Sequence, residues 1–287
     1  MASVKHKFGE TFFISRGRKG DNIPLVALHG GPGGSSEGLR PLLELSSNRK
    51  VYIYDQVGGG KSSPTPKRLW NIETFIEELE ILVKAWGLSR FHLFGASWGT
   101  TLALEYYLRG RKAKGQVASL LFQSPMFDTK DWANDAQILI NGLSKKNQKI
   151  INYCHEIGAT DSKVYKEAVE AFYLKHVLRN KDILRKRMAQ HEKLGKEVYA
   201  HMWGASEFCP TGSLKRYSRV KSLKQVRCPT LFVCGEYDEA RPETARGYAK
   251  SIEGAKVKVI KGASHGILTE KPKAMLATVS NFLAGCD

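Results

Sequence analysis

No apolar run in the 287 residues approaches the ~18 that a membrane-spanning helix requires, so no membrane association is expected. Cysteine is scarce. Cys154, Cys209, Cys228, Cys234 and Cys286 are odd in number and show no C-x-x-C spacing, which excludes a fully paired disulfide framework. Reduced thiols in a cytosol fit best. Cys154-His155 alone is no metal site, so neither a metal nor another cofactor is expected. The opening Met1-Ala2-Ser3-Val4-Lys5-His6-Lys7 lacks an apolar core of the secretory kind, and a cytoplasmic location is expected. Acidic residues are few, 28 against 45 Lys and Arg, for a net charge of +17. Such a charge raises the question of nucleic acid. No RNP-type or zinc-finger pattern accompanies it, and the lysines scatter along helical segments. A solvated basic surface is expected, with no specific nucleic-acid partner. Gly58-Gly59-Gly60-Lys61-Ser62 ends like a phosphate loop, but Asp55 stands where that pattern needs its leading glycine.

Strand and helix signals alternate through most of the chain. Residues 7–16 and 23–28 read as strands, with a turn over Gly17-Arg18-Lys19-Gly20-Asp21-Asn22. Lys50 to Tyr54 reads as a buried strand, and Phe91 to Phe94, Val117 to Phe122, Thr230 to Cys234 and Val257 to Ile260 read as further strands. Ile72, Phe75, Ile76, Leu79, Leu82, Val83 and Trp86 recur at helical spacing behind Asn71, a fitting N-cap. The alternation predicts an α/β fold, a mostly parallel sheet with helices on both faces. Strand signals stop from about 127 to 219. There Tyr165, Ala168, Val169, Phe172, Tyr173 and His176 form one helical stripe. The expected organisation is a core in two parts, residues 1–126 and 220–287, with a helical cap of residues 127–219 inserted between them.

The chemistry concentrates at strand ends. Gly95-Ala96-Ser97-Trp98-Gly99 reads G-x-S-x-G between a strand and a helix, the setting that pushes a serine hydroxyl out of a sheet. A serine hydroxyl needs a base to take its proton and a carboxylate to hold that base, in the chain order Ser, acid, His. His6, His29 and His92 precede Ser97, while His155, His176, His191 and His201 lie in a polar helical region. His265 sits in a small-residue loop, Gly262-Ala263-Ser264-His265-Gly266, after a strand. For the acid, Glu236, Asp238 and Glu239 compete. A short side chain on a tight turn favours Asp238, with Glu236 next on spacing. The oxyanion needs fixed N–H donors, one expected from Trp98 and another from the loop His29-Gly30-Gly31-Pro32-Gly33-Gly34.

His29-Gly30-Gly31-Pro32-Gly33, Tyr54-Asp55-Gln56-x-Gly58, Gly95-x-Ser97-Trp98-Gly99 and Gly235-Glu236-Tyr237-Asp238-Glu239 occur in this order. Together they resemble the proline iminopeptidase family of serine aminopeptidases, which has the α/β-hydrolase fold. Met202 to Phe208 with Thr211 to Lys215 also resembles the tricorn-interacting aminopeptidase branch. The similarity runs from about residue 8 to near the C-terminus. It implies Ser97 as nucleophile, Asp238 as orienting acid, His265 as general base, and the N–H groups of Gly31 and Trp98 as oxyanion hole. It also implies that Glu207 and Glu239 hold the free α-ammonium of the substrate, which would let the enzyme count from the N-terminus.

The implied activity releases an N-terminal proline or other apolar residue from short peptides through an acyl-enzyme. Phe127 and Trp132 are expected to line the pocket for the first side chain. Gly34-Ser35-Ser36-Glu37 and Gly99-Thr100 depart from the family, which often has Ser-His and Gly-Gly there. Both changes bear on substrate preference and neither touches the triad. Two alternatives are an amino-acid amidase or esterase with the same triad, and a non-catalytic scaffold that binds a partner or nucleic acid. Free imidazole titrates near ~6.5 and α-amino groups near ~7.7–8.0, so activity on peptides is expected to be bell-shaped between such limbs.

Overall fold

The structure, a computed structural model, describes residues 2–18, 20, 22–193 and 195–287, and of residues 190–193 the backbone only. Lys19 and Asp21 of the expected turn and the His191 side chain lie outside the described residues.

The elements run β1 (Ala2–His6), β2 (Gly9–Arg16), β3 (Leu25–Leu28), β4 (Val51–Tyr54), α1 (Ile72–Ala85), β5 (Phe91–Ala96), α2 (Trp98–Arg109), α3 (Ala113–Gln116) and β6 (Val117–Gln123). Helices α4 (Thr129–Ile140), α5 (Lys145–Glu156), α6 (Lys163–His176), α7 (Lys181–Lys193) and α8 (Lys196–Met202) follow. The chain then returns through β7 (Thr230–Gly235), α9 (Pro242–Ala249), β8 (Lys256–Ile260), α10 (Ile267–Glu270) and α11 (Pro272–Ala284).

The sheet has eight strands in the order β1-β2-β4-β3-β5-β6-β7-β8, parallel from β4 onward. β3, β4, β5, β6 and β7 are buried throughout, because helices cover both faces and leave no side for polar residues. β8 lies at one edge and alternates exposed lysines with inward residues, a pattern that discourages pairing with another sheet. β1 at the other edge was not anticipated. It pairs antiparallel with β2 from Ala2↔Phe13 to His6↔Gly9, so the strand expected from residue 7 is a hairpin. A short, largely exposed edge strand has no buried face to impose an apolar alternation on its sequence.

Local signals account for the helix starts. Asn71 Oδ1 accepts from Thr74 N at 2.9 Å and opens α1. Asp128, Ser144 and Ser162 cap α4, α5 and α6 in the same way. The stripe on α6 packs Tyr165, Ala168, Val169 and Phe172 with Ala136, Ile140, Ile151, Cys154 and Phe208 into a core of its own. The two ends of this helical block meet. Asp128 bridges to Ser218, and Arg219 N donates to Phe127 O at 2.8 Å. Among the described residues no helix is long and apolar enough to cross a membrane.

The edge of the sheet opposite the carboxyl ends of the parallel strands is clasped by one ion pair. Arg49, buried before β4, donates to both carboxylate oxygens of Asp287 at 2.9 and 2.8 Å and to Ile23 O at 2.9 Å. The same carboxylate accepts from Ile23 N and touches His92 Nε2 at 3.3 Å. Burial raises the Asp287 pKa, but the Arg49 and His92 hydrogen bonds outweigh it and hold the pKa below the usual range. Its stabilisation is therefore present above the ordinary carboxylate pKa and is lost as pH falls through the lowered one. Asp287→Ala leaves the Arg49 guanidinium buried without its partner, and a loss of about 3 kcal/mol is expected. Urea unfolding at pH 7 reads that loss; turnover at 25 °C stays near the parent value because the clasp lies across the sheet from the site.

Candidate active site

Six strand ends, those of β3 to β8, and the loops that follow them build one site. In open α/β sheets the carboxyl edge is where ligands bind. β5 ends at Ser97, whose φ of 53° and ψ of −122° belong to a sparsely populated region. The turn needs its glycines. A Cβ on Gly95 would lie 2.2 Å from Gly99 O, and one on Gly99 would lie 2.3 Å from Leu28 O. Strand and helix thus cross closer than any side chain allows, and the serine is thrust from the crossing.

The loop after β3 stands over this turn. A Cβ placed on Gly30 would sit 3.7 Å from Ser97 Oγ. His29 is buried and neutral: burial lowers its pKa, Nδ1 donates to Gly30 O at 2.7 Å, and Nε2 accepts from Gln56 N at 3.0 Å. Gln56 Nε2 donates to His29 O, and its Oε1 accepts from Trp98 Nε1 at 2.8 Å. The two sequence motifs around His29 and Gln56 therefore lock the serine turn to its neighbouring loop. Asp55 folds the Gly58-Gly59-Gly60-Lys61-Ser62 stretch by accepting from Lys61 N at 2.7 Å and Ser36 N at 2.6 Å, a structural duty that leaves no phosphate cradle. Neither the Gly31 nor the Trp98 N–H is taken up by a hydrogen bond among the described residues.

Asp238, after β7, is buried and saturated with donors. Oδ1 accepts from His265 Nδ1 at 2.8 Å and Ala240 N at 3.0 Å; Oδ2 accepts from Ser124 Oγ at 2.6 Å and Gly235 N at 3.0 Å. Glu236, the other candidate acid, instead accepts from Gly262 N on the exposed side of the loop. His265 is steered by more than its carboxylate. Its N–H donates to His176 O at 3.0 Å, Gly266 N donates to Val177 O at 2.8 Å, and His176 Nδ1 donates to Tyr237 O at 2.9 Å. The last turn of α6 is thereby fastened to both loops that carry Asp238 and His265. Among the described residues no hydrogen bond joins Ser97 Oγ to His265, and catalytic bonds of this kind often tighten only in the substrate complex.

Glu239 and Glu207 converge beside His265. Glu239 Oε1 lies 3.6 Å from His265 Nδ1. Glu207 accepts from Tyr199 Oη, and its neighbour Trp132 stacks edge-on to His265 with ring centroids 5.9 Å apart. Burial, then the Glu207 charge, holds the Glu239 pKa well above the carboxylate range; burial raises Glu207 as well. Burial alone would lower the His265 pKa, but Asp238, Glu239 and Glu207 together outweigh it and push it up to about 9. This direction places the acid limb of free-enzyme activity above the ~6.5 expected from free imidazole.

Phe127 is not a pocket wall. It is fully buried among Phe122, Tyr248 and Phe232, at 4.9, 5.3 and 6.2 Å between ring centroids. An aromatic residue at the start of a helical block does not announce which layer it enters. Trp132 does reach the site, wedged between His265 and Trp203. Tyr199, Gln123 and Ser124 were missed, since each acts through partners distant in sequence.

Comparisons with known proteins agree with this fold. A family model described as the alpha/beta hydrolase fold matches residues 23–272. A proline iminopeptidase of Heyndrickxia coagulans is 36% identical over 279 residues, spanning 96% of this chain and 95% of that protein. One from Saccharolobus solfataricus is 33% identical over 285 residues, spanning 97% of this chain and 91% of that protein. The crystal structure of the Mycobacterium smegmatis proline iminopeptidase superposes with a TM-score of 0.87 at 29% identity, over 99% of this chain and 98% of that one. An α/β-hydrolase sheet, a serine at its elbow and near full-length similarity lead to one assignment: the chain belongs to the proline iminopeptidase family of serine hydrolases.

Proposed function

We propose that this enzyme removes an N-terminal proline or other apolar residue from short peptides. The observation that carries the reading is the pair Glu207 and Glu239 gathered next to a histidine that is bonded to a buried aspartate. Such a pair suits a free α-ammonium, and an ammonium anchored there brings the first peptide bond to Ser97. Ser97 Oγ attacks the carbonyl carbon and His265 Nε2 takes its proton. Asp238 holds the imidazole through Nδ1. The N–H groups of Gly31 and Trp98 receive the oxyanion. Collapse of the tetrahedral intermediate expels the peptide amine, protonated by His265, and leaves an aminoacyl ester on Ser97. Water activated by His265 then releases the amino acid.

Residues 127–219 act in this reading as a cap over the carboxyl edge. The cap supplies Glu207 and Trp132, and by closing the site it restricts substrates to short chains. The proposed setting is the cytoplasm, with peptides bearing a free N-terminus as partners.

A panel of fluorogenic aminoacyl amides tests the substrate class. The prolyl amide is expected to have the highest kcat/KM, with alanyl and leucyl amides below it. Equal turnover of simple esters that carry no amine would instead make this a general esterase with the same triad.

A further inference from the structure

The end of β6 touches each of the three residues assigned to the triad. Ser97 N donates to Gln123 O at 2.9 Å. Gln123 Nε2 donates to His265 O at 3.2 Å. Ser124 Oγ donates to Asp238 Oδ2 at 2.6 Å. Ser124 is itself fully buried, and its N–H is held by Val233 O at 2.8 Å.

Its backbone is unusual. Ser97 and Ser124 are the non-glycine residues with positive φ among those described, both at 53°. That region favours glycine, because a Cβ meets the flanking carbonyl there. A serine in such a place carries one thing the turn does not need, a hydroxyl, and the hydroxyl is spent on Asp238. Strain of this kind persists where the surroundings over-determine it and concentrates at functional sites.

The donors on Asp238 divide by origin. Gly235 N and Ala240 N belong to its own loop and travel with it. Among the described residues only His265 and Ser124 reach the carboxylate from other segments. We propose that Ser124 is a positioning residue for the hydrolytic reaction: its hydroxyl sets the plane of the Asp238 carboxylate against β6, the strand whose end also holds the main chains of Ser97 and His265. This role rests on the triad reading given above. Loss of the hydroxyl leaves the carboxylate free to turn with its loop and puts more undivided charge in front of His265.

The test uses Ser124→Ala and Ser124→Gly in the full-length enzyme, with Ser97→Ala alongside and a prolyl amide as substrate. A charge-assisted hydrogen bond of this type corresponds to a kcat loss of about tenfold to a hundredfold, expected in both Ser124 variants. KM should stay within about twofold, because the substrate itself loses no contact. The acid limb of kcat/KM should move up by about half a pH unit as the imidazolium gains the freed charge. The other ionisable groups facing Asp238 and His265 are Glu239 on the same loop, Glu207 beyond α8, His176 on α6 and Cys234 on β7, and they keep their places in the variants.

Thermal melting separates this role from simple stability. Ser124→Gly should melt above Ser124→Ala, since glycine accepts the positive φ, yet share its kinetic defect. If the alanine variant does not fold, the glycine variant alone carries the test. A kcat within about twofold of the parent with an unmoved acid limb overturns the proposal. So does a rate loss confined to the less stable variant. Activity retained by Ser97→Ala would remove the triad itself; a dead Ser97→Ala with unimpaired Ser124 variants would remove only the role of Ser124.

Discussion

Ser97→Ala should lower turnover of a prolyl amide by about 10⁶-fold, the scale seen when the nucleophile of a serine triad is removed. Among the described residues the Ser97 side chain makes no capping hydrogen bond at the strained elbow, and the alanine side chain fills the same turn, so the fold is expected to survive. Residual activity would come from the oxyanion donors and the ammonium site, which still bind substrate in place. Rapid-mix kinetics give the sharper reading. The parent enzyme should release the first equivalent of amine in a burst if deacylation limits the rate, with an ester adduct on Ser97 visible by intact mass in a quenched sample. An alanine variant that retains parental turnover would remove Ser97 from the chemistry.

The second large effect concerns Glu239. Glu239→Gln keeps the size of the side chain and removes the carboxylate from the proposed ammonium site. Breaking a buried ion pair costs ~3–5 kcal/mol, so kcat/KM for free-amine substrates should fall by roughly a hundred- to a few-thousand-fold. Acetylating the substrate amine should do similar damage in the parent enzyme. The pH dependence carries a second signature. Burial lowers the His265 pKa, while the carboxylates of Asp238, Glu239 and Glu207 outweigh it and push it up to about 9. A bound ammonium offsets the glutamates and lets the imidazolium lose its proton. The acid limb of kcat, which reports the complex, should therefore lie below that of kcat/KM, which reports the free enzyme. Glu239→Gln removes one of the charges holding the proton and should move the kcat/KM limb down. Coincident limbs in the parent, unmoved in the variant, would argue against this coupling.

Residues whose role depends on their position at a strand end were readable. Ser97 and Asp238 each follow a buried apolar run, His265 follows the alternating edge strand β8, all three sit among small or turn-forming neighbours, and the structure joins the last two by a hydrogen bond. That the sheet is mostly parallel follows from the same alternation of elements; its order does not, since β3 lies between β4 and β5. What stayed hidden depends on distant partners. Ser124 before a proline reads as an ordinary turn residue, and nothing local shows that β7 brings Asp238 to its hydroxyl. The His265 pKa is raised by Asp238 and Glu239 and then by Glu207, which arrives from the far end of the helical block. Phe127 was misplaced for a related reason: its sequence neighbours mark the start of a block, while its burial is decided by Phe122, Phe232 and Tyr248.

The attachment of α6 to the Asp238 and His265 loops has a bearing on protein engineering. Retuning the enzyme for new first residues invites a chimera in which the whole insertion is transplanted from a relative. Carbonyls of His176 and Val177 receive the N–H groups of His265 and Gly266, so a graft that shifts this junction would dislodge the base along with the pocket. A chimera that retains the host's residues 173–178 and varies only the helices upstream would change selectivity without surrendering rate.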